Sequence, residues 1–374
     1  MRSLLLELPG EPLWPIHPIF HTSPDGRDPT SVTALPVTVL LPAPSSWSSG
    51  HRGRGGTIMT NGSAIQVRGL RKVFPGGVEA VAGVDFDVWP GEVFSLLGPN
   101  GAGKSTAIGM LTGTVAPTGG SARLAGFDVA TEPLAARRIS SVLFQDPVVD
   151  RPLTGRRNLE IHARLWGVPV RQIAGRLEEI VEAFTLAELI DRPVGTYSGG
   201  ERRRLEIARA LVSEPAVLFL DEPTVGLDPR IRLELLDVIA RLRDRSEMTI
   251  LLTTHYLDEA ERLSDRIAVM RAGRIVASGS SGDLIAALGD QLLELRVHGD
   301  PGASLASLAR AGIAGRDAFA VGSTLIVPAR DRGADEARAA VASTGAEVLS
   351  AVQRRTTLDD VYLWLTGDDL VDAA

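Results

Sequence analysis

Residues Gly98-Pro99-Asn100-Gly101-Ala102-Gly103-Lys104-Ser105-Thr106 follow the pattern G-x-x-x-x-G-K-S/T. That pattern restricts the chain to a strand, a tight loop and a helix arranged around bound phosphate. Glycines at this spacing let backbone N–H groups curl around β- and γ-phosphate oxygens. Lys104 brings a compact charge to the same oxygens, and the Ser105 hydroxyl can reach Mg²⁺. A helix opening at Ser105 would point its positive end at the anion. The flanks agree: Val93-Phe94-Ser95-Leu96-Leu97 reads as a short buried strand, and Ala107-Ile108-Gly109-Met110-Leu111 as an apolar helix. Of 39 Lys+Arg residues only Lys72 and Lys104 are lysine, so the chain's background usage would put arginine here. The two side chains are not interchangeable at phosphate.

The bulk numbers set outer limits. A chain of 374 residues is long enough for two domains, each with its own core. Its 44% hydrophobic and 23% charged fractions are those of an ordinary soluble globular protein. A net charge of -7 and a pI near 5.5 argue against a broadly basic nucleic-acid-binding surface, though not against a local groove. Without cysteine there is no disulfide, no thiol chemistry and no Cys-ligated metal, which suits a cytosolic setting. No stretch approaches the roughly 20 apolar residues that span a bilayer. The nearest, Ser31 to Pro44, is broken by Pro36, Pro42 and Pro44, and Leu4-Leu5-Leu6 is too short for a signal-peptide core. A role in transport would need another chain to supply the membrane path.

Residues 1–58 differ from the rest. They hold nine of the 23 prolines and three of the six histidines, and they end in a Gly/Ser/Arg stretch. No helical or strand period survives there, so one expectation is a disordered extension. The other is that Met59 is the true start and 1–58 is upstream sequence wrongly included with it. From 63 to about 284 the pattern is α/β. Ala216-Val217-Leu218-Phe219-Leu220 and Thr249-Ile250-Leu251-Leu252-Thr253 read as strands buried on both faces. Residues from about 154 to 214 turn helical, and Ile267–Met270 with Ile275–Ala277 flank Gly273 as a hairpin. Residues 285–374 read as an accessory unit: strands near Leu293–Val297, Leu325–Val327 and Val348-Leu349, and helices at Ala334–Ala342 and Leu358–Leu365.

Two further motifs carry chemistry. Leu218-Phe219-Leu220-Asp221-Glu222-Pro223 puts two carboxylates at the carboxyl end of a buried strand, where open α/β sheets present ligand sites. Asp221 is suited to hold Mg²⁺, and Glu222 to serve as general base toward water. Tyr197-Ser198-Gly199-Gly200-Glu201 precedes Arg202, Arg203 and Arg204. Ser198 can cap the helix that follows, and Gly199 and Gly200 leave N–H groups open to phosphate. Three consecutive arginines, read alone, are a solvated face.

Phosphate loop, Ser-Gly-Gly motif and Leu-Asp-Glu-Pro acids occur in that order, with Gln145 between the first two and His255 beyond the last. In this the chain resembles an ATP-binding cassette (ABC) ATPase over about Ile65 to Gly279. The resemblance implies a P-loop α/β cassette, with a mixed sheet core and a helical subdomain, followed by a small α/β appendix. It implies ATP and Mg²⁺ as ligands and further roles at matching positions. Phe74 would stack on adenine and Thr106 contact the α-phosphate. Gln145 would sense Mg²⁺ or water and touch a membrane subunit, Asp228 would meet the partner's phosphate loop, and His255 would contact the γ-phosphate. Tyr197 stands where the family has Leu, and Glu201 where it has Gln. These variants, with Thr357–Leu363 near the end, are similar to the branch that energises drug- and lipid-type exporters, including daunorubicin-resistance ATPases.

The resemblance further implies a second copy of the chain docked head to tail and separate integral membrane subunits at the cytoplasmic face of the membrane, with no nucleic-acid partner. The competing reading is a soluble ABC ATPase that acts on ribosomes or DNA. Translation-type members carry two cassettes in one chain, and chromosome-type members insert a long coiled coil between phosphate loop and signature. This chain has one cassette and no such insertion. Because residues 1–58 carry no core-forming pattern, deleting them is predicted to leave ATP hydrolysis intact. Phosphate-release assays on the truncated chain check this, and collapse of folding on truncation would contradict it.

Overall fold

The computed structural model describes Val39–Leu40 and residues 62–367, apart from 147, 246–247 and 330–332. The expectation for residues 1–58 therefore lies outside the described residues except at Val39–Leu40. Along the chain, β1 (Val39–Leu40) is followed by β2 (Ile65–Val73), β3 (Glu79–Val88) and β4 (Val93–Leu97). Then come α1 (Lys104–Leu111), β5 (Gly119–Leu124), β6 (Phe127–Asp128), α2 (Pro133–Arg138) and β7 (Ser140–Leu143). Helices α3 (Gly155–Leu165), α4 (Val170–Ala183) and α5 (Gly199–Leu211) follow, with a 3₁₀ turn at Val194–Thr196. Next are β8 (Val217–Asp221), α6 (Pro229–Arg245), β9 (Thr249–Thr254), α7 (Leu257–Leu263), β10 (Arg266–Arg271), β11 (Arg274–Gly279) and α8 (Ser281–Leu288). The chain closes with β12 (Gln291–His298), α9 (Pro301–Arg310), β13 (Phe319–Val321), β14 (Thr324–Pro328), α10 (Ala334–Ala342), β15 (Glu347–Arg355) and α11 (Leu358–Thr366).

The central sheet has the order β1-β11-β10-β4-β9-β8-β7. Strands β10, β4, β9, β8 and β7 are parallel neighbours, and β11 returns antiparallel as the hairpin partner of β10. Every residue of β4, β8 and β9 is buried, because the sheet is covered on both faces and the strand period of two feeds two cores. Phe94, Leu96, Val217, Phe219 and Leu251 join one core with Ile108, Met110 and Leu111 of α1 and with the antiparallel sheet β3-β2-β5-β6. Leu218, Leu220, Ile250 and Leu252 join the other, with Leu205 and Ile207 of α5 and Leu235 and Ile239 of α6.

The C-terminal sheet is antiparallel, in the order β13-β14-β12-β15. Leu293, Leu295 and Val297 pack with Leu308 and Val341 from α9 and α10. From the alternate positions, Leu292 and Ile326 share a core with Leu97, Leu257, Ile267 and the α11 residues Leu358, Val361 and Tyr362. Strand β13 and helix α9 were not expected from sequence. Asp300 and Pro301 start α9, with the Asp300 carboxylate accepting from the Gly302 N–H at 2.8 Å.

Phe219 is fully buried at the centre of the first core. Phe219→Ala should therefore destabilise the fold by about 3–5 kcal/mol, read as a shift in the urea unfolding midpoint. A shift worth less than about 1 kcal/mol would contradict this packing.

Candidate active site

Parallel strands end on one edge, and the candidate site is built there. Leu97 pairs with Thr254 and Asp221 with Thr253, so β4, β8 and β9 finish side by side. Gly98, Glu222 and His255 are the residues that follow these three ends. The turn after β4 needs glycine for space as well as for flexibility. A Cβ at Gly98 would lie 2.4 Å from the Met270 carbonyl oxygen, and one at Gly103 only 2.2 Å from that of Ala80. Gly103 also has φ +102°, a left-handed conformation that caps α1. The helix thus opens at Lys104, one residue earlier than expected. Pro99 is half-buried, Asn100 and Gly101 are exposed, Ala102 is buried, Ser105 is exposed and Thr106 half-buried. Lys104 is only 4% exposed. Its Nζ donates to the carbonyls of Gly98 at 2.8 Å and Pro99 at 3.1 Å, and lies 3.2 Å from Glu222 Oε1.

The two acids have different surroundings. Asp221 Oδ1 accepts from Ser105 Oγ at 2.9 Å and from Thr253 Oγ1 at 2.6 Å. Burial pushes the Asp221 carboxyl up, those hydrogen bonds oppose it, and the net direction is upward. Glu222 has φ +45°, a left-handed conformation that costs a non-glycine residue about 1–3 kcal/mol. Its N–H donates to Thr253, to the carbonyl at 3.2 Å and to Oγ1 at 3.0 Å. Burial pushes the Glu222 carboxyl up, but His255 and Lys104 more than offset it and hold it below the usual range. The approach of His255 Nδ1 to Glu222 Oε1 is 3.5 Å. This is an electrostatic contact rather than a formed hydrogen bond, and Nδ1 has no hydrogen-bond partner among the described residues.

The other expected positions fall in two groups. Phe74 lies at the β2 end of the β2–β3 hairpin, 37% exposed, with Lys72 Nζ 5.0 Å from its ring centroid. The same hairpin abuts the phosphate loop through Ala80. Gln145 is exposed just beyond β7. Ser198, Gly199 and Gly200 open α5. Ser198 Oγ accepts from the Glu201 N–H at 3.2 Å, and Glu201 Oε2 accepts from the Ser198 N–H at 2.7 Å, a reciprocal cap. Ser198 has no described hydrogen bond to the phosphate loop of its own chain. Gly200 allows α5 to approach Ile231, whose Cγ2 would lie 2.4 Å from a Cβ there. Asp228 is exposed and accepts from the Ile231 N–H at 3.1 Å. Tyr197, the unusual residue before Ser198, is buried and its hydroxyl donates to the Leu189 carbonyl. Gly155 makes room for that hydroxyl.

Three participants were missed. Thr253, in sequence only one residue of an apolar strand, bonds both acids. Glu259 is fully buried and accepts from Thr254 at 2.7 Å, from Arg232 Nε at 2.9 Å and from Thr224. Arg203, assigned to a solvated face, is 7% exposed and faces the acids' backbone. The available signal was helical phase, since Gly200, Arg203 and Ile207 lie on one stripe of α5.

These surroundings suit a polyphosphate and a hard cation. The first turn of α1 presents N–H groups that lack intrahelical partners, behind a loop whose Gly98 and Gly103 lie directly against the Met270 and Ala80 carbonyls. Ser105 and Asp221 offer the oxygen donors that Mg²⁺ prefers. The raised pKa of Asp221 is that of a buried carboxylate short of countercharge.

Comparison with known proteins agrees. The family model for "ABC transporter" matches residues 81–225. The chain is 43% identical over 307 residues to the daunorubicin/doxorubicin resistance ATP-binding protein DrrA of Streptomyces peucetius, covering 81% of this chain and 92% of that one. It is 38% identical over 308 residues to the Nod factor export ATP-binding protein I of Rhizobium sp. (strain N33), covering 82% and 98%. Among solved structures it is similar to cbiO1 from Clostridium perfringens, part of the ABC transporter complex cbiONQ. There the TM-score is 0.56 and the identity 28%, over 60% of this chain and 92% of that chain.

A raised carboxyl pKa favours folding below the unfolded value of 3.8 and becomes a cost as pH rises through the folded value. Asp221→Asn keeps an acceptor for Ser105 and Thr253 while removing the buried charge. It should raise the melting temperature of the ligand-free chain at pH 7 by about 1–3 °C, and the gain should shrink as pH falls toward 4. Calorimetry at several pH values reads it, and a pH-independent loss of stability would contradict the argument.

Proposed function

The chain belongs to the ABC transporter family and hydrolyses ATP as the nucleotide-binding subunit. From that premise we propose that it works as a head-to-tail dimer beneath separate integral membrane subunits, at the cytoplasmic face of the cell membrane. In this reading it drives the export of drug-like or lipid-like molecules. One observation carries the shared site. Lys104, Asp221, Glu222 and His255 converge within one chain, while Ser198 and Gly200 sit at the start of a helix with no described contact to that cluster. A second copy supplies the missing half: Ser198 and Gly200 of each chain close over the nucleotide of the other.

In this mechanism the loop from Gly98 to Thr106 and Lys104 hold the phosphates, and Phe74 stacks on the base. Ser105, Asp221 and Gln145 would hold Mg²⁺, which would neutralise charge on the phosphate oxygens. Glu222, ionised at neutral pH because its pKa is held down, orients water and takes its proton. When phosphate draws the charge of Lys104 away, the Glu222 carboxylate loses part of what depresses its pKa and becomes a stronger base. His255 contacts the γ-phosphate, and Asp228 meets the partner's phosphate loop. Loss of the γ-phosphate then weakens the contacts that hold the two copies together.

Export is supported by the resemblance to proteins named for drug resistance and Nod factor export. No described helix is long and apolar enough to cross a membrane, so the membrane path belongs to the partner. Exposed Leu165, Trp166 and Val170 at the α3–α4 turn, with Val148 after Gln145, offer apolar surface for it. The acidic balance disfavours ribosomes or DNA as partners.

Glu222→Gln should bind ATP, lose roughly 10²–10⁴-fold in turnover and accumulate an ATP-dependent dimer by size-exclusion chromatography. Turnover at the wild-type rate would refute the base assignment. Wild-type chain purified from membranes should retain a polytopic subunit, and recovery of ribosomes or DNA in its place would refute transport.

A further inference from the structure

Arg203 is the one arginine of the Arg202-Arg203-Arg204 run that is buried, and its surroundings are unusual for a cation. Its Nε donates to the Pro223 carbonyl at 2.7 Å. Nη1 donates to the Phe144 carbonyl at 2.8 Å and to Glu206 Oε2 at 3.0 Å, and Nη2 to the carbonyls of Glu222 at 3.2 Å and Asp221 at 3.4 Å. A guanidinium has five N–H donors in a rigid plane, and five acceptors surround this one. Four of them are main-chain carbonyls from two separate loops. Three come from consecutive residues, Asp221, Glu222 and Pro223, and the fourth from Phe144, immediately before Gln145.

We infer that Arg203 is a positioning residue for ATP hydrolysis: from α5 it fixes the backbone that carries Glu222 and Gln145. The inference rests on Glu222 acting as the base. Glu222 is held at both ends in its left-handed conformation. Thr253 takes its N–H on one side, and Arg203 donates to its carbonyl on the other. Without the guanidinium, three successive carbonyls each lose a donor, and that of Glu222 keeps the Val225 N–H at 3.3 Å. Glu222 is then free to relax to an ordinary conformation, which moves its carboxylate away from Lys104 and His255. Because Arg203 lies on the helix that Ser198 caps, the element that closes on the partner's nucleotide is bonded directly to the backbone of the base in its own site. A lysine cannot replace it, since three donors on a single nitrogen cannot match five acceptors spread around a planar fork.

The test separates positioning from stability. In the full chain, the double variant Arg203→Met, Glu206→Leu removes the buried ion pair and substitutes apolar side chains of similar size, an exchange that commonly preserves stability. Its melting temperature should still fall, because the carbonyls that faced the guanidinium lose a donor, but its KM for ATP should stay within threefold while kcat falls 10- to 100-fold. Arg203→Lys keeps the charge opposite Glu206 and serves if the double variant does not fold. It should lose three- to tenfold in kcat with affinity for a fluorescent ATP analogue unchanged. Wild-type kcat in either folded variant overturns the proposal. So does a kcat loss that tracks an equal loss of ATP affinity, because that is damage to the whole site. Glu222→Gln is measured in parallel. If it turns over at the wild-type rate, the base assignment and this proposal fall together. If it is inactive while Arg203→Lys is fully active, only the role of Arg203 falls.

Discussion

The register of β9 between its two parallel neighbours is the constraint on which the site depends. Leu97 is paired with Thr254, and Asp221 with Thr253. A slip of one residue in either ladder would turn Ile250 and Leu252 from one core into the other. Because both faces of the sheet are buried, that slip is forbidden by packing on two sides at once. The distances from Lys104 to Glu222 and from His255 to Glu222 therefore derive from apolar residues that touch neither group. Thr253 converts register into chemistry: one hydroxyl donates to Asp221 and accepts from the Glu222 N–H.

Much of this was legible because it is local. A phosphate loop is a backbone shape, and its glycines report it directly: Gly98 and Gly103 are where a Cβ would strike a carbonyl. The acids at the end of β8 and the histidine after β9 follow from two apolar runs, each with polar residues at its carboxyl end. The reciprocal cap between Ser198 and Glu201 is a three-residue signal and was equally readable. What failed was long-range. Arg203 bonds to Phe144, 59 positions earlier, and to Pro223, 20 later, and no local pattern announces such partners. Charge alone suggested solvent, whereas the phase of α5 puts Arg203 on the stripe of Gly200 and Ile207. Strand β13, three residues long, is too short to show a period, and pairing with β14 defines it.

Tyr197 illustrates a departure that the fold absorbs. Its ring fills a buried position and its hydroxyl reaches the Leu189 carbonyl, which a leucine there would leave to another donor. The accommodation is at Gly155, where a Cβ would lie 2.6 Å from the hydroxyl oxygen. Tyr197 and Gly155, far apart in sequence, thus share one packing arrangement. The Ser198 cap beside them is unaffected.

Two buried charges of opposite sign bind the loops around the site. Arg203 joins α5 to the segments that carry Gln145 and Glu222. Glu259 joins Thr224, shortly before Asp228, to Thr254, immediately before His255, with Arg232 as its countercharge. Apolar residues of similar volume would commonly be as stabilising as such ion pairs, so stability alone is a weak reason for them. A hydrophobic side chain, however, cannot select one arrangement of main-chain carbonyls over another. A guanidinium whose five donors meet five acceptors can, because any shift of either loop leaves a buried donor unpaired. The same holds for a carboxylate accepting from two threonines and an arginine. These two groups supply directional bonds that fix the ends of β7, β8 and β9 relative to one another.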